Sequence, residues 1–209
     1  MKKTGNTILI TGGATGIGRA LAEKFLAAGN RVIVASRSRA ALDAAVAALP
    51  GLEAMELDVT DAGAIAAFAK EVIARHPDLN VLLNNAGIMR PEKIAEGPEW
   101  LATAEAEVTT NILGPLRLTA ALLPHLLTKP EAAILNVTSG LAFVPLAWTP
   151  TYSATKAALH SFTVSLRRQL AATAVEVIEI APPYVQTELT GAHQAVDPAA
   201  MPLADYVAE

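Results

Sequence analysis

Thr7-Ile8-Leu9-Ile10-Thr11-Gly12-Gly13-Ala14-Thr15-Gly16-Ile17-Gly18 is the stretch that decides the fold. A short apolar run ends in glycines, and a helical pattern starts at Ile17. The order is strand, tight turn, helix. Gly12, Gly16 and Gly18 suit that order for three reasons. The turn is tight, the backbone must come close to a ligand, and the helix must lie close to the strand. Free N–H groups and the positive dipole end at Ile17–Arg19 favour an anion such as a pyrophosphate. No Gly-Lys-Ser/Thr follows, which excludes a Walker A loop.

The same alternation continues outward. Strand patterns cover Thr7–Thr11, Arg31–Ala35, Leu52–Leu57, Leu79–Leu83, Ala133–Thr138 and Val175–Ile180. They are short, continuous and apolar, as suits strands buried on both faces of a parallel sheet. Helical patterns fill the gaps at Ile17–Ala28, Arg39–Ala48, Ala62–Arg75, Glu99–Leu127 and Pro150–Ala172. Gly29-Asn30 reads as a helix stop. Pro115 and Pro124 interrupt the fourth helix, and a kink is expected at Asn111–Pro115. The expected fold is α/β: a doubly wound, mostly parallel, Rossmann-like sheet in three layers, forming one domain over residues 1–209. Pro182 to Glu209 reads as a loop with short helices beyond the last strand's carboxyl end, where ligands of such folds bind.

Composition narrows the function. The chain has 209 residues, 52% of them apolar but only 4% aromatic, so a core of Ala, Leu, Val and Ile is expected. A net charge of −4 argues against a nucleic-acid surface. There is no cysteine, which excludes disulfides, thiolate metal sites and a cysteine nucleophile. The four histidines show no metal spacing, and His193 alone is a candidate substrate contact. No apolar run approaches the length of a membrane span, and no signal-peptide core is visible. A cytoplasmic protein is expected. Asn136-Val137-Thr138 matches a glycosylation acceptor but lies in a strand pattern, so it reads as chance.

The second strand ends at Ala35-Ser36-Arg37-Ser38. Folds that bind NAD usually carry an acidic residue here for the ribose hydroxyls. Ser36 stands in its place, and Arg37 can pair with a 2′-phosphate. NADP is therefore expected over NAD.

Tyr152-Ser153-Ala154-Thr155-Lys156 puts a phenol and an ammonium on one helix face. At about 4 Å and an effective dielectric near 20, the ammonium favours phenolate by on the order of 4 kcal/mol before desolvation. That could lower the phenol's pKa by up to about three, toward working pH. Ser139, ending the fifth strand, can hydrogen-bond a substrate oxygen and stabilise charge there.

Taken together, Thr11-Gly12…Gly16…Gly18, Asp58-Val59, Asn84-Asn85-Ala86-Gly87, Asn111, Ser139, Tyr152 with Lys156, and Pro182-Pro183-Tyr184-Val185-Gln186-Thr187 resemble a short-chain dehydrogenase/reductase. The resemblance runs from Thr11 to at least Thr187. It implies that Thr11, Gly12, Thr15, Gly16, Ile17 and Gly18 form the cofactor turn. Ser36 and Arg37 would meet its ribose, and Asp58 and Val59 its adenine. Asn85, Ala86 and Gly87 would line the cofactor. Lys156 would bind the nicotinamide ribose, with Pro182, Val185 and Thr187 near the carboxamide. Tyr152 would be the general acid/base, Ser139 would hold the substrate oxygen, and Asn111 would hold a relay water. No metal is implied. The function implied is NADPH-dependent hydride transfer to a ketone or aldehyde, reversible with the alcohol. A non-catalytic NADP-binding sensor or scaffold is the alternative. A homodimer or homotetramer is implied, and Ala154, Ala157, Ala158 and Ser161 are small enough for close helix contact.

Two features depart from the family pattern. Pro182-Pro183 replaces the usual Pro-Gly, which removes an N–H and glycine's freedom. The chain also ends before a seventh strand, so either it is truncated or its sheet edge differs. Ala181-Pro182-Pro183-Tyr184 and Met201-Pro202-Leu203 resemble a bacterial branch linked to D-alanyl esterification of teichoic acids. Leu141, Phe143, Trp148 and Tyr184, with a substrate loop at about 183–205, are expected to form an apolar substrate wall.

Overall fold

The strands are buried as their apolar runs predict. In the computed structural model, which describes residues 1–208, β1 (Thr7–Thr11) and β5 (Ala132–Val137) are buried at every position. The other strands are β2 (Arg31–Ser36), β3 (Glu53–Glu56), β4 (Leu79–Asn84) and β6 (Val175–Ile180). They form one sheet in the order β3-β2-β1-β4-β5-β6, with every pairing parallel. The chain reverses direction across the sheet between β1 and β4. A crevice opens at such a reversal, outside the strands' carboxyl ends.

Alternate residues of each strand feed two cores, as the period of two requires. Leu9, Ile33, Leu82 and Ile134 face one side. There they meet α3 (Ala62–Arg75), α5 (Gly114–Leu126) and α6 (Pro150–Gln169). Ile8, Ile10, Val34 and Leu83 face the other, against α1 (Gly16–Ala27) and α2 (Arg39–Ala48). The result is the expected three-layer, doubly wound domain.

The long fourth helix is where sequence and structure differ most. It is two helices, α4 (Trp100–Val108) and α5, joined by a π-helical turn at Thr109–Leu113. Pro115 has no N–H to give the Asn111 carbonyl, so the α-helical ladder cannot pass through. The extra residue of a π turn absorbs the defect. Pro124 is carried within the last turn of α5 without ending it.

Beyond β6 the chain folds back over the carboxyl edge. Val185 and Met201 form an isolated parallel bridge, and a short α7 (Leu203–Tyr206) lies against α1. Six strands are found among the described residues, with β6 at the edge. Asn136 is fully buried inside β5, which makes its glycosylation motif inaccessible, as read from sequence.

Candidate active site

The glycine turn is clamped to the end of β4. Thr11 is buried, and its hydroxyl accepts from the N–H groups of Asn85 and Ala86, both at 3.1 Å. The Asn85 side chain donates to the Thr11 and Gly12 carbonyls at 2.9 and 3.1 Å. At Gly12 φ is +64°, and a Cβ would meet the Ala86 Cα at 2.9 Å. Only glycine satisfies both conditions. Gly18 serves packing instead, since a Cβ there would meet the Gly12 carbonyl at 2.5 Å.

This clamp bounds a cleft of about 790 Å³ at the carboxyl ends of β1, β4, β5 and β6. Gly12, Thr15, Gly16, Ile17 and Gly18 line it on one side, with Asn85, Ala86 and Gly87 beside them. Ser139, Tyr152 and Lys156 line it too, as do Pro182, Val185 and Thr187. These five separate segments of sequence therefore share one cavity. No side chain caps α1, whereas Ser38 caps α2 and Asp61 caps α3. The N-terminus of α1, aimed into the cleft, is thus left to an anion.

Other expected residues lie outside the cleft lining. Thr11 acts from behind, through the clamp. Val59 belongs to the core, and Gly114 is placed so that a Cβ would meet Val59 Cβ at 3.2 Å. Ser36 ends β2 and Arg37 follows it, exposed. Burial pushes the Asp58 carboxyl up, but two hydrogen bonds from Thr60 and the charge of Arg37 outweigh it and hold it below its usual range. Asn111 is fully buried: its side chain accepts from the Ile88 N–H at 2.9 Å and donates to the Ile88 carbonyl at 2.9 Å and the Thr155 hydroxyl at 3.1 Å.

Ser139, Tyr152 and Lys156 come together at one cleft, but the electrostatics of the group differ from the expectation. Tyr152 and Lys156 sit one turn apart on α6, 5% and 3% exposed. Ser139 lies two residues past β5, at the start of the Gly140–Ala142 turn, and its hydroxyl accepts from the Leu141 N–H at 3.1 Å. The Lys156 ammonium donates to the Val137 carbonyl at 2.8 Å and lies 5.5 Å from the centre of the Tyr152 ring. Burial pushes the phenol up to about 12, despite the nearby Ser139 hydroxyl, and Glu107 adds to the rise. Burial pulls Lys156 down to about 8. The sequence argument expected an acidified tyrosine. Desolvation wins here because both groups leave water together and the ammonium is already held by a carbonyl.

The expected apolar wall is also displaced. Leu141, Phe143, Trp148 and Tyr184 do not line the cleft. Phe143 turns outward and stacks edge-on against His160 at 4.8 Å, and the Tyr184 hydroxyl donates to Asp197 at 2.9 Å. His193 is likewise absent from the lining. A short 3₁₀ turn at Gly140–Ala142 redirects the segment, and no residue periodicity announces such a turn.

Residues missed from sequence include Gln194, Glu107 and His160. Gln194 is buried in the substrate loop, where its side chain donates to the Val185 carbonyl and the Thr187 hydroxyl and accepts from Thr190. Glu107 is fully buried, four residues before Asn111 on the same face. An acidic residue on the apolar side of a helix was the one signal available. His160 meets the Glu179 carboxylate at 2.8 Å, which also accepts from Thr138 beside Ser139.

Such a cleft, an uncapped helix end and a Ser–Tyr–Lys set at the carboxyl edge of a doubly wound sheet, defines a nucleotide-binding oxidoreductase type of site. Comparison with known proteins gives the family. The family model described as short chain dehydrogenase matches residues 6–197. An uncharacterized oxidoreductase, DltE of Bacillus subtilis, is 50% identical over 189 residues, covering 90% of this chain and 75% of the relative. A closed form of serine dehydrogenase complexed with NADP+ superposes with a TM-score of 0.87 at 28% identity, covering 95% of this chain and 85% of that one. A 3-ketoacyl-(acyl-carrier-protein) reductase of Brucella melitensis complexed with NADH gives 0.86 at 26% identity, covering 98% and 88%. The chain belongs to the short-chain dehydrogenase family, an oxidoreductase family. The identity to DltE also bears out the bacterial branch that the Ala181–Tyr184 and Met201–Leu203 segments suggest.

Proposed function

We propose that the protein is an NADPH-dependent oxidoreductase that reduces a ketone or aldehyde and, in reverse, oxidises the alcohol. One observation carries this reading: Ser139, Tyr152 and Lys156 line the same cleft as the glycine turn. Among the family relatives, the serine dehydrogenase is described with NADP+ and the acyl-carrier reductase with NADH, so a nicotinamide dinucleotide is the common element. The uncapped N-terminus of α1 and the glycine turn suit its pyrophosphate. Exposed Arg37, with no acidic residue at Ser36, favours the 2′-phosphate of NADP. The bound dinucleotide supplies or accepts the hydride.

The protein's own residues handle the proton and the oxygen. Ser139 donates a hydrogen bond to the carbonyl oxygen, where charge builds during the reaction. Tyr152, fully protonated at neutral pH, gives that oxygen its proton. Burial around the phenol keeps it a donor and leaves the phenolate to be stabilised by the occupied site. Lys156 returns the balance: pulled to about 8, its ammonium can pass a proton on near neutral pH. The Asn111 side chain is committed to Ile88 and Thr155. A relay water there would use the Asn111 backbone carbonyl, whose α-helical donor Pro115 cannot provide.

NADPH consumption against a panel of carbonyl compounds tests the reading, with Tyr152→Phe as control. The variant should bind NADPH as the parent does and lose at least roughly a hundredfold in rate. Equal turnover by both proteins would reject the role of Tyr152.

A further inference from the structure

Residues 88–92 follow β4, form no helix or strand, and are held by three buried side chains. Asn111 grips Ile88 at both its N–H and its carbonyl, each at 2.9 Å. The Glu107 Oε1 accepts from the Arg90 N–H at 2.7 Å. Glu92 is the third: its Oε2 accepts from the Thr151 N–H at 2.8 Å, while its own N–H donates to the Trp148 carbonyl at 2.9 Å. Asn111 and Glu107 lie on one face of α4 and the π turn, and Thr151 precedes Tyr152 in the first turn of α6. Hydrogen bonds at alternate loop residues, Ile88, Arg90 and Glu92, thus tie α4 and the π turn by way of the loop backbone to the helix that carries Tyr152.

The two carboxylates are unusual in what they leave unused. Glu107 is 0% exposed and Glu92 is 7% exposed. Glu107 Oε2 and Glu92 Oε1 are buried without a hydrogen-bond partner, as is the hydroxyl of Thr149, the residue before α6. A merely structural acceptor for Arg90 needs no second carboxylate oxygen in a dry place. An amide or hydroxyl would do that work without the desolvation cost of a charge.

We propose that Glu107 is a positioning residue for Tyr152, one whose own proton is coupled to the proton of the phenol. Burial pushes the Glu107 carboxyl up to about 7, and the Glu92 charge adds to that, against the pull of the Arg90 N–H and guanidinium. The charges of Arg90 and Glu92 from the loop act on Glu107, and the charge of Glu107 in turn acts on Tyr152 of α6. Coupling is reciprocal. An ionised Glu107 holds the proton on Tyr152, and a tyrosine that has given its proton to substrate draws a proton onto Glu107. That proton comes from solvent and returns there, and no bond to substrate is made or broken by the carboxylate. Near neutral pH, Glu107 is thus poised between its two forms while the phenol cycles.

The inference rests on Tyr152 being the acid/base, and its test separates the two. With ¹³C-labelled glutamate carboxyls, NMR titration of the full chain should show one signal, absent in Glu107→Gln, that titrates near neutral pH. Glu92→Gln, which leaves Glu107 in place, should move that signal to lower pH. On a carbonyl substrate that the panel identifies, the rate profile of Glu107→Gln should lose the ionisation near pH 7 seen in the parent and keep the one near 8 that belongs to Lys156. A Glu107 signal in the ordinary carboxylate range would overturn the coupling. So would no movement in Glu92→Gln, or superimposable rate profiles. Turnover by Tyr152→Phe at the parental rate would instead reject the function while leaving the Glu107 titration standing.

Discussion

Lys156 shows why pairwise charge arguments fail in a dry site. Spacing alone puts an ammonium beside a phenol, and Coulomb attraction then predicts an acidic tyrosine. The structure buries both and gives the ammonium a carbonyl, so burial decides the sign for each. Arg37 offers a separate check at this scale. It is exposed and already pulls on Asp58, and the proposed NADP preference assigns it to the 2′-phosphate. Arg37→Ala should weaken NADPH binding by roughly tenfold or more and leave NADH binding within about twofold, read by fluorescence titration. Equal losses for both dinucleotides would sink the NADP preference.

Among the elements, the substrate loop has a buried side chain at its centre. Gln194 bridges Val185 and Thr187, which follow β6, to Thr190, and it is 4% exposed. Gln194→Ala leaves the Val185 carbonyl, the Thr190 N–H and two hydroxyls short of a partner, at a cost of about 1–3 kcal/mol. Amide hydrogen exchange across residues 185–201 should quicken in that variant, while exchange in β1 and β4 stays as it was. A global increase would mean that the loop is not a separate unit. The π turn tells a related story. Proline at 115 made a break legible, yet its form, which aligns Glu107 and Asn111 under the 88–92 loop, depends on what packs against it.

At the scale of the whole molecule, two partly or fully buried histidines, His76 and His125, make stability depend on pH. His76 is 4% exposed with neither ring nitrogen hydrogen-bonded, and burial holds its pKa below the usual value against the pull of Glu53. Burial and Lys129 do the same for His125, whose ring meets the Leu79 carbonyl. Below about 6.5 the unfolded chain takes up protons that these folded rings refuse. Stability conferred by the two neutral rings is therefore complete above that pH and lost as pH falls below it. Glu107 works the other way, holding its proton longer when folded and so costing stability as pH rises to about 7. Thermal melts should show a midpoint that falls below pH 6.5, and His76→Gln should flatten that limb. An unchanged limb would remove His76 from the account. The exposed face of α6 bears Ala154, Ala158 and Ser161, and the proposed homo-oligomer would use it. Ala158→Glu should then lower the mass measured by light scattering without loss of fold by circular dichroism. An unchanged mass would place any interface elsewhere.

Periodicity and glycine placement, read from the chain alone, were enough for the layer order, the parallel sheet and the cleft's position. These are local properties: an apolar run of the right length, a turn only glycine can make, two side chains one helical turn apart. The sequence also determined which residues meet at Ser139, Tyr152 and Lys156. What only the tertiary structure decided is how dry that meeting place is. Desolvation depends on every neighbour in space, among them Glu107 from a distant helix and the turn that swings Phe143 away. No spacing along the chain encodes that sum, which is why the residues were legible and their protonation was not.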